Sequence, residues 1–179
     1  MDETRWLSDE EQVAWRRLIA VTTLLPYELD AQLQRDAELT HFEYWVLAML
    51  SETPGRALRM SELAIRSSAS QSRASHVVSR LERKGYVARE RSASDGRGTL
   101  ARITDDGMAR LVEVAPGHVE TARSLVLDAL TAEQVGQLSA IARALLSRLD
   151  PDGTRTIPID HRGGRAELLD HRGGGAELP

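Results

Sequence analysis

The sequence predicts a mainly α-helical fold with one small β-hairpin. Three segments begin with a capping box, in which Ser or Thr is followed three residues later by Glu or Gln, and continue with apolar residues at helical spacing. Two short segments of alternating character, 86–91 and 99–103, flank a tip that contains two glycines. The chain has 179 residues, of which 41% are hydrophobic, so it can bury a real core.

A long helix is predicted near the N-terminus. Ser8 with Glu11 forms the first capping box, and apolar residues then recur every three or four positions to about Gln34. Proline lacks the backbone N–H that a helix interior uses. We therefore expect Pro26 to kink this helix or to divide it near Leu25.

Three shorter helices are predicted to follow. Thr40 opens a capping box before HFEYWVLAMLSE, Ser61 is expected to cap ELAIRSS, and Ser70 is expected to cap a helix over 71–84. The inward side of this last helix is expected to be an apolar stripe of Ala74, Val77, Val78 and Leu81. Gly85 then supplies the left-handed residue that ends many helices. The last of these helices and the hairpin after it have the layout of a helix-turn-helix recognition helix followed by a β-wing.

Two more helices are predicted after the hairpin. Thr104 begins the first, in which Pro116 is expected to introduce a kink, and Thr131 opens a capping box before the second, which ends at Asp150. These helices and the first helix carry more apolar surface than one small lobe can cover. Pairing with a second chain is the natural way to bury it.

Positive charge is concentrated in one part of the chain. Residues 56–103 contain eleven Lys and Arg against four acidic residues, although the formal net charge of the whole chain is -4. The alternative is that charge merely fluctuates along a soluble protein. Because the basic segment coincides with the recognition helix and the wing, we favour a basic, phosphate-binding face on an acidic scaffold.

The composition excludes several classes of function. Without cysteine, the chain forms no disulfide, no Cys-ligated zinc site and no thiol redox sensor. No run of 18 apolar residues is present and the N-terminus is acidic, so we expect a soluble, cytoplasmic protein with no membrane partner. The sequence lacks a nucleophile elbow, a phosphate-binding glycine loop and a HExxH motif, so we expect no enzymatic activity, no metal and no cofactor.

The C-terminal part, residues 150–179, contains a short repeat. DHRGGRAEL and DHRGGGAEL follow each other with a period of ten residues and one mismatch. Two copies rich in glycine and charge cannot bury a core, so we expect a flexible tail. The His-Arg-Gly-Gly copies could hold a metal or nucleic acid, but a short duplication in a tolerant terminus is the simpler explanation.

The segment LRMSELAIRSSASQSRASHVVSRLERKGYVARERSASDGRGTLARITDDG resembles the MarR family of transcriptional regulators. Basic residues before Gly85, the Asp-Gly-Arg wing tip and the Thr-Asp-Asp-Gly helix start match the family's pattern in order and spacing. LTHFEYWVLAML precedes this segment and LTAEQVGQLSAIARALLSRL follows it. The resemblance extends from about Leu7 to Leu149.

The resemblance implies a homodimer that binds double-stranded DNA. A winged helix-turn-helix lobe would occupy residues 40–105, and dimerisation helices would occupy 7–39 and 106–149, with the flexible tail beyond. Members of the family usually repress genes by binding a pseudopalindromic operator. Many release it when they sense a small molecule, often aromatic or anionic, or an oxidant.

The polar face of the recognition helix is predicted to read DNA. Gln pairs with adenine and Arg with guanine through two hydrogen bonds, so we expect Gln71, Arg73 and His76 to reach base edges. The remaining polar side chains are expected to hold phosphates. They are Ser70, Ser72, Ser75 and Arg80. The alternative is an amphipathic helix with a merely solvated polar face, which the wing that follows disfavours.

The wing is predicted to add backbone and minor-groove contacts. Arg97 lies between two glycines, whose lack of side chains allows a close approach to a narrow minor groove. Asp95 is expected to orient Arg97 or another arginine. Arg89 and Arg91, on the strand that leads to the tip, are expected to meet phosphates.

The resemblance also implies a pocket for a small effector. In the family the pocket lies between the dimer helices and the DNA-binding lobe, so the resemblance points to Trp15, Arg16, His41, Tyr44 and Trp45 as lining residues. Each of them also has an ordinary structural explanation.

The alternative function is a winged-helix module for dimerisation or protein interaction without specific DNA binding, which would bind DNA weakly and without salt dependence.

Overall fold

The computed structural model describes residues 4–91 and 98–155, which form six α-helices and a three-stranded sheet. The helices are α1 (Asp9–Ala37), α2 (His41–Glu52), α3 (Met60–Arg66), α4 (Gln71–Arg83), α5 (Asp105–Ala122) and α6 (Ala132–Leu149). The strands are β1 (Ala57–Arg59), β2 (Val87–Arg91) and β3 (Thr99–Ile103). A 3-10 turn covers Pro54–Arg56 and a π-helical turn covers Arg123–Leu127.

The predicted caps open five of the six described helices. At Ser8, Thr40 and Thr131 both hydrogen bonds of the capping box form. The hydroxyls of Ser70 and Thr104 each accept a hydrogen bond from the backbone N–H three residues later. These short side chains satisfy backbone donors that have no partner within the helix, so local sequence is sufficient to place the helix starts.

One local prediction is wrong, and one of the two outcomes expected at Pro26 does not occur. Ser61 does not cap α3, because α3 begins at Met60 directly after β1 and its N-cap position is Arg59, without a side-chain hydrogen bond. Pro26 does not divide α1, which continues to Ala37. Pro26 lies on an exposed part of the helix, where the carbonyl that loses its donor can bind water instead.

The sheet has the order β1-β3-β2, and both pairings are antiparallel. The predicted hairpin strands form, and Arg89 is opposite Ala101. β1 was not predicted, because three residues are too few to show alternation. It forms on the second edge of β3, where Leu58 is opposite Ala101.

The core lies between the C-terminal half of α1, helices α2 to α5 and the sheet. Its fully buried members include Leu33 of α1, Leu47 and Leu50 of α2, Leu63 of α3 and Leu81 of α4. The inward stripe predicted for the recognition helix is buried as well. Its members are Ala74, Val77, Val78 and Leu81. The recognition helix is therefore fixed against the rest of the lobe along its whole length.

A second apolar surface is not covered within one chain. Helix α6 contains no buried residue, although it carries Val135, Leu138, Ile141, Leu145 and Leu149. The N-terminal half of α1 exposes further large apolar side chains. They are Trp15, Leu18, Ile19, Val21 and Leu24. Apolar side chains in this number at helical spacing indicate a surface that another chain covers.

Two kinds of feature are missing from residues 4–91 and 98–155. None of the helices there combines the length and the apolar character needed to cross a bilayer. The same residues contain no group of three or more His, Asp or Glu side chains arranged to hold a metal ion.

Gly107 is required where α5 begins. A Cβ on Gly107 would lie 2.1 Å from the carbonyl oxygen of Tyr86, which also accepts a hydrogen bond from the N–H of Thr104 at 3.1 Å. Gly107→Ala must therefore push apart the start of α5 and the start of the wing. We expect a loss of about 1–3 kcal/mol in the free energy of unfolding, measured by denaturant titration at fixed protein concentration.

A second glycine in the same helix provides the control. A Cβ on Gly117 would meet only the Nε2 of Gln32, at an ordinary 3.7 Å. Since Ala favours helix over Gly by about 1 kcal/mol, Gly117→Ala should leave stability unchanged or raise it. Equal losses for both variants would show that the close approach at Tyr86 is not what makes Gly107 necessary.

Candidate DNA-binding interface and effector pocket

Helix α4 presents an outward face opposite its buried stripe. At 100° per residue, Ser72, His76 and Arg83 lie farthest from that stripe, and all three are exposed. Gln71 is also exposed at the N-terminal end of the helix. Arg83 was not among the predicted contacts, because the prediction concentrated on the first half of the helix. Its position on the same face extends the candidate interface along the whole helix.

The side of α4 toward the wing is tied to β2 by Arg89. The guanidinium of Arg89 donates to the carbonyl oxygen of Ser75 at 2.8 Å and to the hydroxyls of Ser75 and Ser79 at 3.2 and 2.9 Å. It also forms an ion pair with Glu82 at 3.1 Å. These contacts hold the wing against the recognition helix, so Arg89 has a structural role beside its predicted phosphate contact, which stays a prediction.

The opposite side of α4 is anchored by a buried carboxylate. Glu43 of α2 is fully buried, and its Oε1 lies 3.0 Å from the Nε of Arg80 in an ion pair that lacks hydrogen-bond alignment. The Nζ of Lys84 lies 3.6 Å from the Oε2 of Glu43 and donates to the carbonyl oxygen of Glu38 at 2.6 Å. Arg80 therefore connects the recognition helix to α2, and its predicted phosphate contact stays a prediction.

Arg73 lies on the same side but has a different partner. Its guanidinium carbon is 4.4 Å from the centroid of the Phe42 ring, and its side chain is exposed. This is the geometry of a cation-π contact. The sequence predicted Arg73 as a base-reading residue and gave no indication of the aromatic ring beneath it.

A cleft of about 340 Å³ lies between α4 and the base of the wing. Its walls come from the start of α3, the first half of α4 and the facing ends of β2 and β3. The lining residues are Arg59, Met60, Ser61, Gln71, Ser75, Arg89, Gly98 and Thr99. Arg59 and Ser61 were not among the predicted contacts, and the basic composition of residues 56–103 was the only signal for Arg59.

The wing tip is only partly described. Arg91 is exposed at the end of β2, and its predicted phosphate contact stays a prediction. Asp95 and Arg97 lie outside the described residues, so the proposed minor-groove contact stays a prediction.

Three aromatic rings come together where α1, α2 and α5 meet. The ring centroids of Tyr44 and His118 are 4.3 Å apart, and those of His41 and His118 are 5.8 Å apart. The backbone N–H of His41 donates to Asp30 at 2.8 Å. The Nδ1 of His118 and the Oε1 of Gln32 are buried without a hydrogen-bond partner in the described part of the chain. Such atoms are the kind that a polar ligand satisfies.

Burial keeps these rings uncharged at neutral pH. It lowers the pKa of His41, against the attraction of Asp30, and it lowers the pKa of His118, to which repulsion from His41 adds. Burial also raises the pKa of Tyr44 to about 12, with a further contribution from Glu52. The cluster therefore offers neutral rings and hydrogen-bonding atoms rather than charge.

Two of the five predicted pocket residues, His41 and Tyr44, belong to this cluster. Trp15 and Arg16 do not, because Trp15 is about 22 Å along α1 from Asp30 at 1.5 Å per residue. Trp45 follows Tyr44 on α2 but is exposed. His118, Asp30 and Gln32 were not predicted, since nothing in the sequence shows that α5 and α1 bring them to α2.

Comparison with known proteins gives one consistent result. The sequence model of the MarR family matches residues 38–98. The structure of the MarR family regulator Sco3205 from Streptomyces coelicolor, in complex with DNA, is 48% identical, with coverage of 86% of this chain and 96% of that chain and a TM-score of 0.79. AbsC, a MarR family regulator from the same organism, is 38% identical over 83% of this chain and all of its own, with a TM-score of 0.77.

Curated relatives agree. The transcriptional repressor MprA from Escherichia coli is 31% identical over 107 residues, which are 60% of this chain and 60% of MprA. The HTH-type transcriptional repressor Rv2887 from Mycobacterium tuberculosis is 41% identical over 96 residues, which are 54% of this chain and 67% of Rv2887. These relatives are regulators, not enzymes. Identity of 48% across nearly the full length of Sco3205, on the same fold, shows that this chain belongs to the MarR family.

Proposed function

We propose that this chain is a transcriptional repressor that binds a pseudopalindromic operator in double-stranded DNA as a homodimer. The observation that carries the proposal is the outward face of α4, which is polar and exposed along its length and is flanked by a wing tied to it through Arg89. A helix of this kind enters the major groove, and the wing reaches the adjacent backbone. The DNA complex of Sco3205 and the repressor function named for MprA and Rv2887 support the same assignment.

The uncovered apolar surface supports the homodimer. An apolar groove of about 220 Å³ runs between α1 and the π-helical turn, lined among others by Val21, Leu24 and Leu125. With the exposed side chains of α6, it forms a surface that a second copy would bury. We propose dimerisation helices in 7–39 and 106–149, a DNA-binding lobe in 40–105 and a tail from residue 150.

The proposed site of action is the cytoplasm, because the operator DNA of the bacterial regulators that this chain resembles lies there. The positive charge of residues 56–103 suits that partner, since each phosphate neutralised by Lys or Arg releases counterions. Binding of this kind weakens steeply as salt concentration rises.

We propose that a small aromatic effector binds at the cluster of His41, Tyr44 and His118. The rings there are uncharged at neutral pH, and the buried Nδ1 of His118 and Oε1 of Gln32 have no partner within the described residues. An aromatic molecule with one polar group would stack on these rings and satisfy such an atom. Trp15, Arg16 and Trp45 are not assigned to this site.

Selection of binding sites from random DNA, followed by sequencing, tests the function. We expect a pseudopalindrome whose half-sites are about one helical turn apart. The logarithm of affinity should fall linearly with the logarithm of salt concentration. A winged-helix module for protein interaction would instead select no sequence and bind weakly at all salt concentrations.

Arg97→Ala tests the wing. We expect operator binding to weaken severalfold, with the dimer intact, because the variant loses one positively charged side chain that contacts the DNA backbone or minor groove. The measurement is a gel-shift titration at fixed salt, with sedimentation as the check on the dimer. Arg5→Ala is the matched control, since it removes the same charge from an exposed position before α1. Equal affinity of the Arg97 variant and the wild type would exclude the wing contact.

A further inference from the structure

We propose that Phe42 of α2 is a positioning residue for base recognition by Arg73 of α4. The inference rests on the proposed function and adds a residue from outside the recognition helix to the determinants of sequence preference. It follows from the different partners that α2 provides for the three cations on one side of α4.

The three cations on that side of α4 are Arg73, Arg80 and Lys84. Arg80 and Lys84 both lie against the buried carboxylate of Glu43, at 3.0 and 3.6 Å. The single carboxylate balances one of these two positive charges and holds both side chains against α2, so they are less available to a base edge than Arg73. Arg73 differs, because within residues 4–91 and 98–155 its partner is an uncharged ring and not a carboxylate.

An aromatic ring orients a guanidinium without neutralising it. The guanidinium carbon of Arg73 lies 4.4 Å from the centroid of the Phe42 ring, the distance of a cation-π contact. A guanidinium that stacks on a ring uses one face of its plane and keeps its in-plane N–H donors available to a base. Reading guanine requires two of these donors at once, in a fixed plane and direction. A restrained Arg73 therefore loses less conformational entropy on binding than a freely rotating one.

The ring itself is well fixed. Phe42 is in the first turn of α2 and packs partly against the hydrophobic core. Its neighbours on both sides are held, because His41 donates to Asp30 at 2.8 Å and Glu43 forms the capping box with Thr40. Arg73 is likewise in the first turn of α4, where its backbone N–H donates to Ser70 at 3.2 Å. Both partners of the contact thus start from rigid backbone.

The experiment compares Phe42→Leu with Arg73→Ala on the full chain. The base pair that Arg73 reads is the one at which Arg73→Ala loses discrimination in competitive gel-shift titrations against single base-pair variants of the selected operator. At that base pair we expect Phe42→Leu to lower discrimination about two- to fivefold, the size of a cation-π contact at an exposed site. Discrimination elsewhere and the salt dependence should stay as in the wild type.

Three further variants separate positioning from packing. Phe42→Tyr retains the ring and should restore discrimination. Phe42→Met, a second non-aromatic side chain, should reproduce the loss and serves if the leucine variant is poorly folded. In the Arg73→Ala background, Phe42→Leu should change nothing further at this base pair, because the two residues act as one unit.

The outcomes distinguish this inference from the proposed function. If the wild type selects no DNA sequence, both are overturned. If it selects an operator but Phe42→Leu discriminates as well as the wild type, only the inference is overturned. The same holds if Arg73→Ala or Phe42→Leu weakens binding equally for all sequences, because Arg73 would then be a phosphate contact.

Discussion

Ile141→Glu is expected to convert the dimer to a monomer and to lower operator affinity by about 100-fold or more, because a monomer loses the effective concentration that links two half-sites. Ile141 is 58% exposed in one chain and lies within the apolar stripe of α6. In a dimer that buries this stripe, an unpaired carboxylate costs several kcal/mol per chain. Since a two-fold interface contains each position twice, both copies of the charge oppose association.

Sedimentation at several protein concentrations measures the dimer, and gel-shift titration at fixed salt measures operator binding. Ser147→Glu is the matched control. Ser147 is exposed and lies on the same helix, about 180° around its axis from Leu138 and therefore on the side away from the apolar stripe. It should remain dimeric and bind the operator. If Ile141→Glu also remains dimeric, α6 does not form the interface and the exposed side chains of α1 are the next candidates.

The sequence was sufficient for features that depend on neighbouring residues. The caps at Ser8, Thr40, Ser70 and Thr131 and the buried stripe of α4 were predicted correctly, because each depends on spacing within one segment. Family membership was also predicted from the motif order and is confirmed by the comparisons.

Features that depend on distant segments were not predicted. β1 forms only because β3 offers it an edge, and Ser61 loses its predicted cap for the same reason. Arg80 and Arg89 show most clearly what spacing cannot predict. They are arginines in a basic segment, which is typical of residues that bind phosphate. Their partners, Glu43 and Ser75, are 37 and 14 residues away along the chain, so spacing cannot show that these arginines serve the fold.

Glu43→Ala is expected to cost about 2–4 kcal/mol in the free energy of unfolding. Three interactions are lost together. They are the ion pairs with Arg80 and Lys84 and the capping hydrogen bond, at 2.9 Å, that the carboxylate accepts from the N–H of Thr40. Breaking a fully buried pair costs about 3–5 kcal/mol, but the side chains of Arg80 and Lys84 are 35% and 32% exposed and can recover part of their hydration. The loss of the cap adds about 0.5–1 kcal/mol.

Denaturant titration at one protein concentration measures this loss, since the stability of a dimer depends on concentration. Glu113→Ala is the matched control, because Glu113 pairs with Arg110 at 2.7 Å but is 68% exposed. A surface pair of this kind contributes less than about 1 kcal/mol. Comparable losses in the two variants would show that burial gives the Glu43 pairs no special strength.

Glu43→Gln separates the charge from the cap. The amide oxygen can still accept the hydrogen bond from Thr40, whereas the attraction for Arg80 and Lys84 is lost. We expect an intermediate loss in stability and weaker operator binding, because the C-terminal half of α4 is then held less firmly against α2. If Glu43→Gln is as stable as the wild type, the buried charge does not stabilise the fold. Weaker operator binding in that stable variant would then assign the charge to the placement of the recognition helix.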